Sequence, residues 1–363
     1  MSDAIRHRWG RKLDDFTVGA VYRHPWEVTL DQGMIALFAA SFQDATPLYC
    51  SSVRARALGF RERPLHPMLL VNLALSFSVH DVSEQAIAHL AYVDVRFPAA
   101  AYAGDTVSAR SLVIGVKPSS GGDKGVVHVR TLLETEDGRV VCAFERKALV
   151  RAGALAERPA SLSEVEGEFP SLSEMERLPV ELRRSFVPPH SRNSLPGHFE
   201  DFAVGQIFAH QIGRTVGDSE HMQLTTLFRN SHPLHFDALY CEDGSFTKKR
   251  VVYGGLVFAF AAALTSRDLA GHALWEIGFD AGAHPSSVAA GDTIYALSKV
   301  LAVEERGALG AVTFKLVGVR NLTSDAALAR FGDALFEDEL GKKIDKVAEK
   351  VFEIRRTLLV AKR

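Results

Sequence analysis

The chain should fold as an α+β protein made of two like halves, each an antiparallel sheet wrapped around one buried helix. Three observations predict this. The sequence repeats itself, each half holds one run that is apolar on every side of a helix, and each half closes with three long strand-like runs.

The repeat is read from ordered blocks. Asp15-Phe16-Thr17-Val18-Gly19 returns as Asp201-Phe202-Ala203-Val204-Gly205, an offset of 186 residues. At the same offset Thr29 meets Thr215, and Pro47-Leu48-Tyr49 meets Pro233-Leu234-His235. Ala103-Gly104-Asp105-Thr106 returns as Ala290-Gly291-Asp292-Thr293 at 187, and Phe144-Glu145 as Phe352-Glu353 at 208. The second half therefore gains 21 residues near its end, read as a surface excursion around Glu337-Asp338-Glu339. The halves are 10–152 and 198–363. Residues 153–197, rich in Pro, Ser and Glu, cannot bury enough apolar surface to fold alone and read as a linker draped over the surface.

Within each half the elements follow one order. A short strand leads to a helix opened by a capping-box-like signal, Thr29-x-x-Gln32 or Thr215-x-x-Asp218. After a loop comes the buried helix, Met68 to Phe77 or Leu256 to Leu264, apolar nearly all round. Three strands follow: Thr106 to Val116, Gly125 to Glu134 and Arg139 to Val150. Their counterparts are Thr293 to Val303, Ala311 to Val319 and Val351 to Val360.

Composition bounds the function. The chain has 363 residues, enough for two cores, with 47% hydrophobic and 24% charged residues. A net charge of −2 argues against a nucleic-acid binder. Cys50, Cys142 and Cys241 are far apart and offer neither a disulfide framework nor a zinc site, so no metal is expected. The first 16 residues lack the apolar centre of a signal peptide, and the longest apolar run is too short to span a membrane. A cytoplasmic protein without membrane partners is expected.

The informative segment runs from Asn230 through His232, Pro233 and His235 to Asp237. It resembles the MaoC-like hydratase motif Asp-x-Asn-Pro-x-His-x-Asp, with Asn230 at the usual Asp and His232 at the usual Asn. Arg250-Val251-Val252-Tyr253-Gly254-Gly255 opens the second buried helix, with Tyr253 where the family has His. Glu220-His221, Asn230, Tyr253-Gly254-Gly255 and His284 before Ala-Gly-Asp-Thr together resemble the mesaconyl-CoA hydratases, also called β-methylmalyl-CoA dehydratases. The resemblance spans both repeats. It implies a tandem, or double, hotdog fold, an internal pseudo-dimer whose chains could themselves pair, and an acyl-CoA substrate.

The chemistry can be argued without the family. Adding water across a double bond conjugated to a thioester places negative charge on the thioester oxygen. Backbone N–H groups at a helix N-terminus stabilise such an oxyanion, and Gly254-Gly255 lets the backbone approach. His235, with an ordinary pKa near neutrality, is the candidate base. Asn230 would hold the water or fix the imidazole tautomer, and Glu220 would be a second proton relay. Arg250 or Lys249 would meet a substrate carboxylate or a CoA phosphate. Tyr253 and His284 are substrate-binding candidates, His284 by resemblance. Each also has a plainer reading, as a solvated cation, a packed glycine or a loop histidine, and Asp237 reads as a helix N-cap.

In the first half Asp44 stands at Asn230, but Tyr49 replaces His235 and His66-Pro67 replaces Tyr253-Gly254. Proline has no N–H to offer. The first half should keep the fold without catalysis and shape the pocket for the CoA arm. The expected function is reversible hydration of an enoyl-CoA, with mesaconyl-CoA as the best guess and no metal or redox cofactor, CoA being part of the substrate. The rivals are a hydratase for another enoyl-CoA, a hotdog thioesterase, and a non-catalytic acyl-CoA-binding module.

Overall fold

The structure is a computed structural model describing residues 10–155, 163–164, 168–184, 186–191, 193–245, 247–339, 342 and 346–363. Most of the segment tested for a signal peptide, residues 1–9, lies outside the described residues.

The strands of the first half are β1 (Val21–Thr29), β2 (Ala86–Arg96), β3 (Thr106–Pro118), β4 (Lys124–Thr135) and β5 (Val140–Arg151), with β6 (Ser163–Glu164) beyond them. Those of the second are β7 (Ile207–Ala209), β8 (Arg214–Thr215), β9 (Ala273–Ala283), β10 (Thr293–Arg306), β11 (Leu309–Arg320) and β12 (Lys350–Ala361). They form one sheet in the order β6-β1-β3-β4-β5-β2-β9-β12-β11-β10-β7, with β8 also on β10. The order on one side of the β2–β9 junction is mirrored on the other, as the repeat requires.

Six of these strands were expected within one to three residues. The junction strands β2 and β9 were not. Both faces of β9 are largely buried, so it lacks the alternation that marks a half-exposed strand. At the junction Tyr92 pairs with Gly282 and Arg96 with Gly278. A Cβ on Gly278 would stand 2.2 Å from the Val95 carbonyl oxygen, so glycine permits the approach.

The helices are α1 (Gln32–Phe42), α2 (Pro47–Cys50), α3 (Ser52–Ala57), α4 (Pro67–Ser78), α5 (Asp218–Leu227), α6 (Ala238–Gly244), α7 (Gly254–Leu264), α8 (Ser266–Leu269) and α9 (Ser324–Phe331). Every residue of α4 is buried, and α7 is buried from Gly255 through Ala263. Helix α4 packs on β3, β4 and β5, and α7 on β10, β11 and β12, within one shared core. The two helices touch: a Cβ on Gly255 would fall 1.9 Å from Asn72 Oδ1.

The expected capping boxes are displaced. Asp31 caps α1 by accepting from the Met34 N–H, while Thr29 ends β1 against Thr106. Gly217 caps α5, and Glu220 reaches back to the Gly217 N–H. Nor is the late insertion only a surface excursion. It supplies α9, and Leu335 and Val347 pack with Leu297, Val317 and Val319. Glu339 is buried and accepts from the Val347 N–H, while Lys350 and Glu353 form a buried ion pair at 2.6 Å. The described part of the linker is anchored. Arg96, Arg110 and Arg130 donate to the carbonyls of Met175, Glu168 and Pro170, and Leu172 packs on Leu132 and Ala143.

The repeat also duplicates a polar tie around a buried histidine. His24 sits between Asp81 (2.7 Å) and Ser111 (2.7 Å), and His210 between Asp268 (2.5 Å) and Ser298 (3.0 Å).

Candidate active site

A cavity of about 490 Å³ opens where the N-terminus of α7 faces the end of α4 and the start of β2. The second half contributes Asn230, His232, His235, Tyr253, Gly254, Gly255 and His284; the first contributes His89, Tyr92 and Arg146.

The segment 230–237 is a turn built to aim a side chain. Asn230 Oδ1 accepts from the His232 N–H, and His232 Nδ1 accepts from the Leu234 N–H. Pro233 then opens a single helical turn ending at His235. With Nδ1 accepting, His232 donates through Nε2 to the Ala86 carbonyl, tying the turn to the first half. Asp237 caps α6 through the Tyr240 N–H, as expected of it.

His235 is buried, and its Nδ1 lies 2.8 Å from the Val251 carbonyl oxygen. A carbonyl only accepts, so Nδ1 carries the proton and Nε2 keeps its lone pair. Tautomer control therefore belongs to Val251, not to Asn230. Burial, then the neighbouring His232, depress the His235 pKa to about 3, so the imidazole is neutral. The Tyr253 ring lies 5.5 Å from that of His235. Its hydroxyl accepts from Ser76 at 3.4 Å and approaches Asn230, and burial raises its pKa so that it stays protonated.

Helix α7 begins at Gly254 with no side-chain cap; the Leu256 N–H turns back to the Tyr253 carbonyl, which leaves the N–H groups of Gly254 and Gly255 without intrahelical acceptors. A Cβ on Gly254 would stand 2.8 Å from His284 Nε2. His284 is engaged with the Val351 carbonyl, and burial lowers its pKa to about 4. Gly254 thus faces the cavity, while Gly255 also answers to packing against Asn72.

Three candidates lie off the cavity wall. Arg250 donates to both carboxylate oxygens of Asp218 at 2.9 Å, and Glu220 pairs with Arg214. Lys249 is exposed. Conversely, sequence reasoning passed over His89, Tyr92 and Arg146. Arg146 carried a signal: it is a charged residue on the inward register of β5, in line with Cys142, Phe144 and Ala148. Among the described residues no carboxylate lines the cavity, and no cluster of His, Cys, Asp and Glu fits a metal ion.

The same place in the first half is closed. Pro67 begins α4, and His66 Nδ1 already accepts from the Met68 N–H. Tyr49 packs on His66 with ring centres 4.6 Å apart, and Asp44 lies 3.2 Å from His66 Nε2.

Residues 3–325 match the family model described as mesaconyl-CoA hydratase. The chain belongs to the mesaconyl-CoA hydratase family. It is 33% identical to a mesaconyl-CoA hydratase of Cereibacter sphaeroides, over 86% of this chain and 90% of the relative. It is 30% identical to a β-methylmalyl-CoA dehydratase of Chloroflexus aurantiacus, over 86% and 89%. A solved structure from Chloroflexus aurantiacus, described as a MaoC domain protein dehydratase, covers both chains fully with a TM-score of 0.79 at 27% identity. A Mycobacterium tuberculosis protein with a double hotdog fold aligns over 96% of this chain with a TM-score of 0.68 at 22% identity. The fold is thus the double hotdog, and this member of the hydratase family is a hydro-lyase. Among the described residues no helix is long and apolar enough to cross a membrane.

Proposed function

We propose that the protein reversibly adds water to a branched, carboxylated enoyl-CoA, converting mesaconyl-CoA to β-methylmalyl-CoA, in the cytoplasm. One observation carries the reading: a neutral imidazole with a free Nε2 faces an uncapped helix N-terminus within one cavity.

His235 Nε2 takes a proton from water as the water oxygen bonds to the β-carbon. The double-bond electrons move toward the thioester, whose oxygen gains charge and is held by first-turn N–H groups of α7. The enolate then collapses and its α-carbon takes a proton from the imidazolium, so that H and OH have been added and His235 is neutral again. Asn230 and the Tyr253 hydroxyl orient the water. The steps are carbon–oxygen bond formation, proton transfer and charge stabilisation with no change of redox state overall, so the proposed reaction calls for no metal or redox cofactor. CoA enters as part of the substrate.

A panel of enoyl-CoAs tests this. A hydratase removes the conjugated enoyl thioester without releasing thiol. Thiol release would identify a thioesterase, and binding without either change an acyl-CoA-binding module.

A further inference from the structure

Among the described residues, Arg146 is the charged group on the cavity wall without a charged partner. Its side chain is buried on β5, and it donates through Nη1 to Ser83 Oγ at 3.2 Å. Nη2 donates to Ser78 Oγ at 2.8 Å and to the Ser78 carbonyl at 3.5 Å. Its Nε–H, also buried, has no acceptor among the described residues. Among the described residues it forms no ion pair, whereas the buried Arg356 has Glu276 at 2.8 Å. Its nearest ionisable neighbours on the cavity wall, Tyr92, Tyr253 and His89, bring no negative charge at neutral pH. Asp81, between Ser78 and Ser83 in the chain, is engaged by Arg11 and His24.

A buried cation without a counter-ion is costly in an empty fold. It is repaid when an anion arrives to complete the pair. Other cation sites on this side of the molecule are weaker candidates. Arg250 is neutralised by Asp218, and the second guanidinium on the wall, Arg320, is one-third exposed and donates to the Ser287 carbonyl. We propose that Arg146, contributed by the first half, binds the free carboxylate of the acyl group and so selects a dicarboxylic enoyl thioester over a neutral one. This rests on the hydratase reading for its substrate, but the pairing itself is a binding statement. It gives the first half a part in substrate choice that its lost base and oxyanion donor do not.

The test compares wild type with Arg146→Met and Arg146→Gln, the second keeping polar contact with Ser78 and Ser83. Substrates are mesaconyl-CoA and tiglyl-CoA, in which a methyl group replaces the carboxylate. Both variants should lose about 10²-fold or more in kcat/KM on mesaconyl-CoA and change less than about threefold on tiglyl-CoA. Arg146→Lys should fall between, since it keeps the charge and loses the fork. Equal losses on both substrates, or none on either, overturn the proposal. Binding of the unreactive methylsuccinyl-CoA and methylbutyryl-CoA separates the two readings. If wild type hydrates neither enoyl thioester yet prefers methylsuccinyl-CoA through Arg146, the hydratase reading fails and this one stands. If wild type hydrates tiglyl-CoA and refuses mesaconyl-CoA, the reverse holds.

Discussion

The carbonyl of Val251 decides what His235 can do. By holding the Nδ1 proton it leaves Nε2 as the lone-pair atom facing the cavity. His235→Ala should therefore lower turnover by at least about 10²-fold with an unchanged fold, the usual lower range for a general base. A near wild-type rate would remove His235 from the mechanism. Its depressed pKa also sets the pH dependence. The base must be neutral to act, and burial keeps it neutral far below its ordinary pKa near 6.5. Consequently kcat/KM should stay level as pH falls from 8 through about 6, where an ordinary histidine would already be titrating. An acidic limb centred near 6.5 would contradict this. At this scale the sequence was partly legible. The turn around Pro233 points His235 as its residues suggest, because Asn230, His232 and Pro233 make local bonds. Glu220 was misplaced because its partners, Arg214 and the Gly217 N–H, are local too and hold it at the helix start. Arg250 was taken for a free cation because Asp218, 32 residues away, comes beside it only in the fold.

Helices α4 and α7 are the same element with opposite mouths. The first begins with Pro67 and an occupied cap; the second begins with two glycines and none. Gly254→Pro would copy the first half's chemistry onto the second, since proline is accepted at a first helical position but carries no N–H. Any side chain at 254 presses on His284, so Gly254→Ala supplies the reference. The proline variant should be slower than the alanine variant by about 10²-fold in kcat, the loss expected for one oxyanion donor. Equal rates would take that N–H out of the reaction. Strands β3, β4 and β5 alternate inward and outward and were found. Strand β9 is buried on both faces and β2 is half-buried without alternation; both are rich in small residues and kinked by register shifts, so no period marks them. Missing them meant missing His89 and Tyr92, which ride on β2.

Across the whole molecule, the two halves share one core and one sheet, yet their sites are unequal. Burial lowers the pKa values of His89, His232, His235 and His284 around a single cavity. These groups stay neutral in the fold, while unfolded histidine titrates near 6.5. Below that value the unfolded chain binds protons that the fold refuses, so stability falls with pH through the window from 6.5 toward about 4. Glu84 and Glu276, raised from 4.5 to about 7, act in the opposite sense over most of that window, but the histidines outnumber them. Tm should therefore drop between pH 7 and 4.5, and a rising or level Tm would contradict the burial of these rings. The inequality of the sites has its own consequence. Tyr49, packed on His66 where the second half has its base, has a phenol pushed further up by burial and cannot serve as one. Tyr49→Phe should leave turnover near wild type, and titration with a tight substrate analogue should find one equivalent per chain. A dead Tyr49→Phe variant or two equivalents would make the first half catalytic.

The most direct measurement is the fate of oxygen from heavy-oxygen water supplied with mesaconyl-CoA. The label should appear in the hydroxyl of a product still joined to CoA, no thiol should be freed, and the labelled product should be lost in His235→Ala. Label in a released free acid together with CoA thiol, or a labelled hydroxyl product formed equally well without His235, would contradict this.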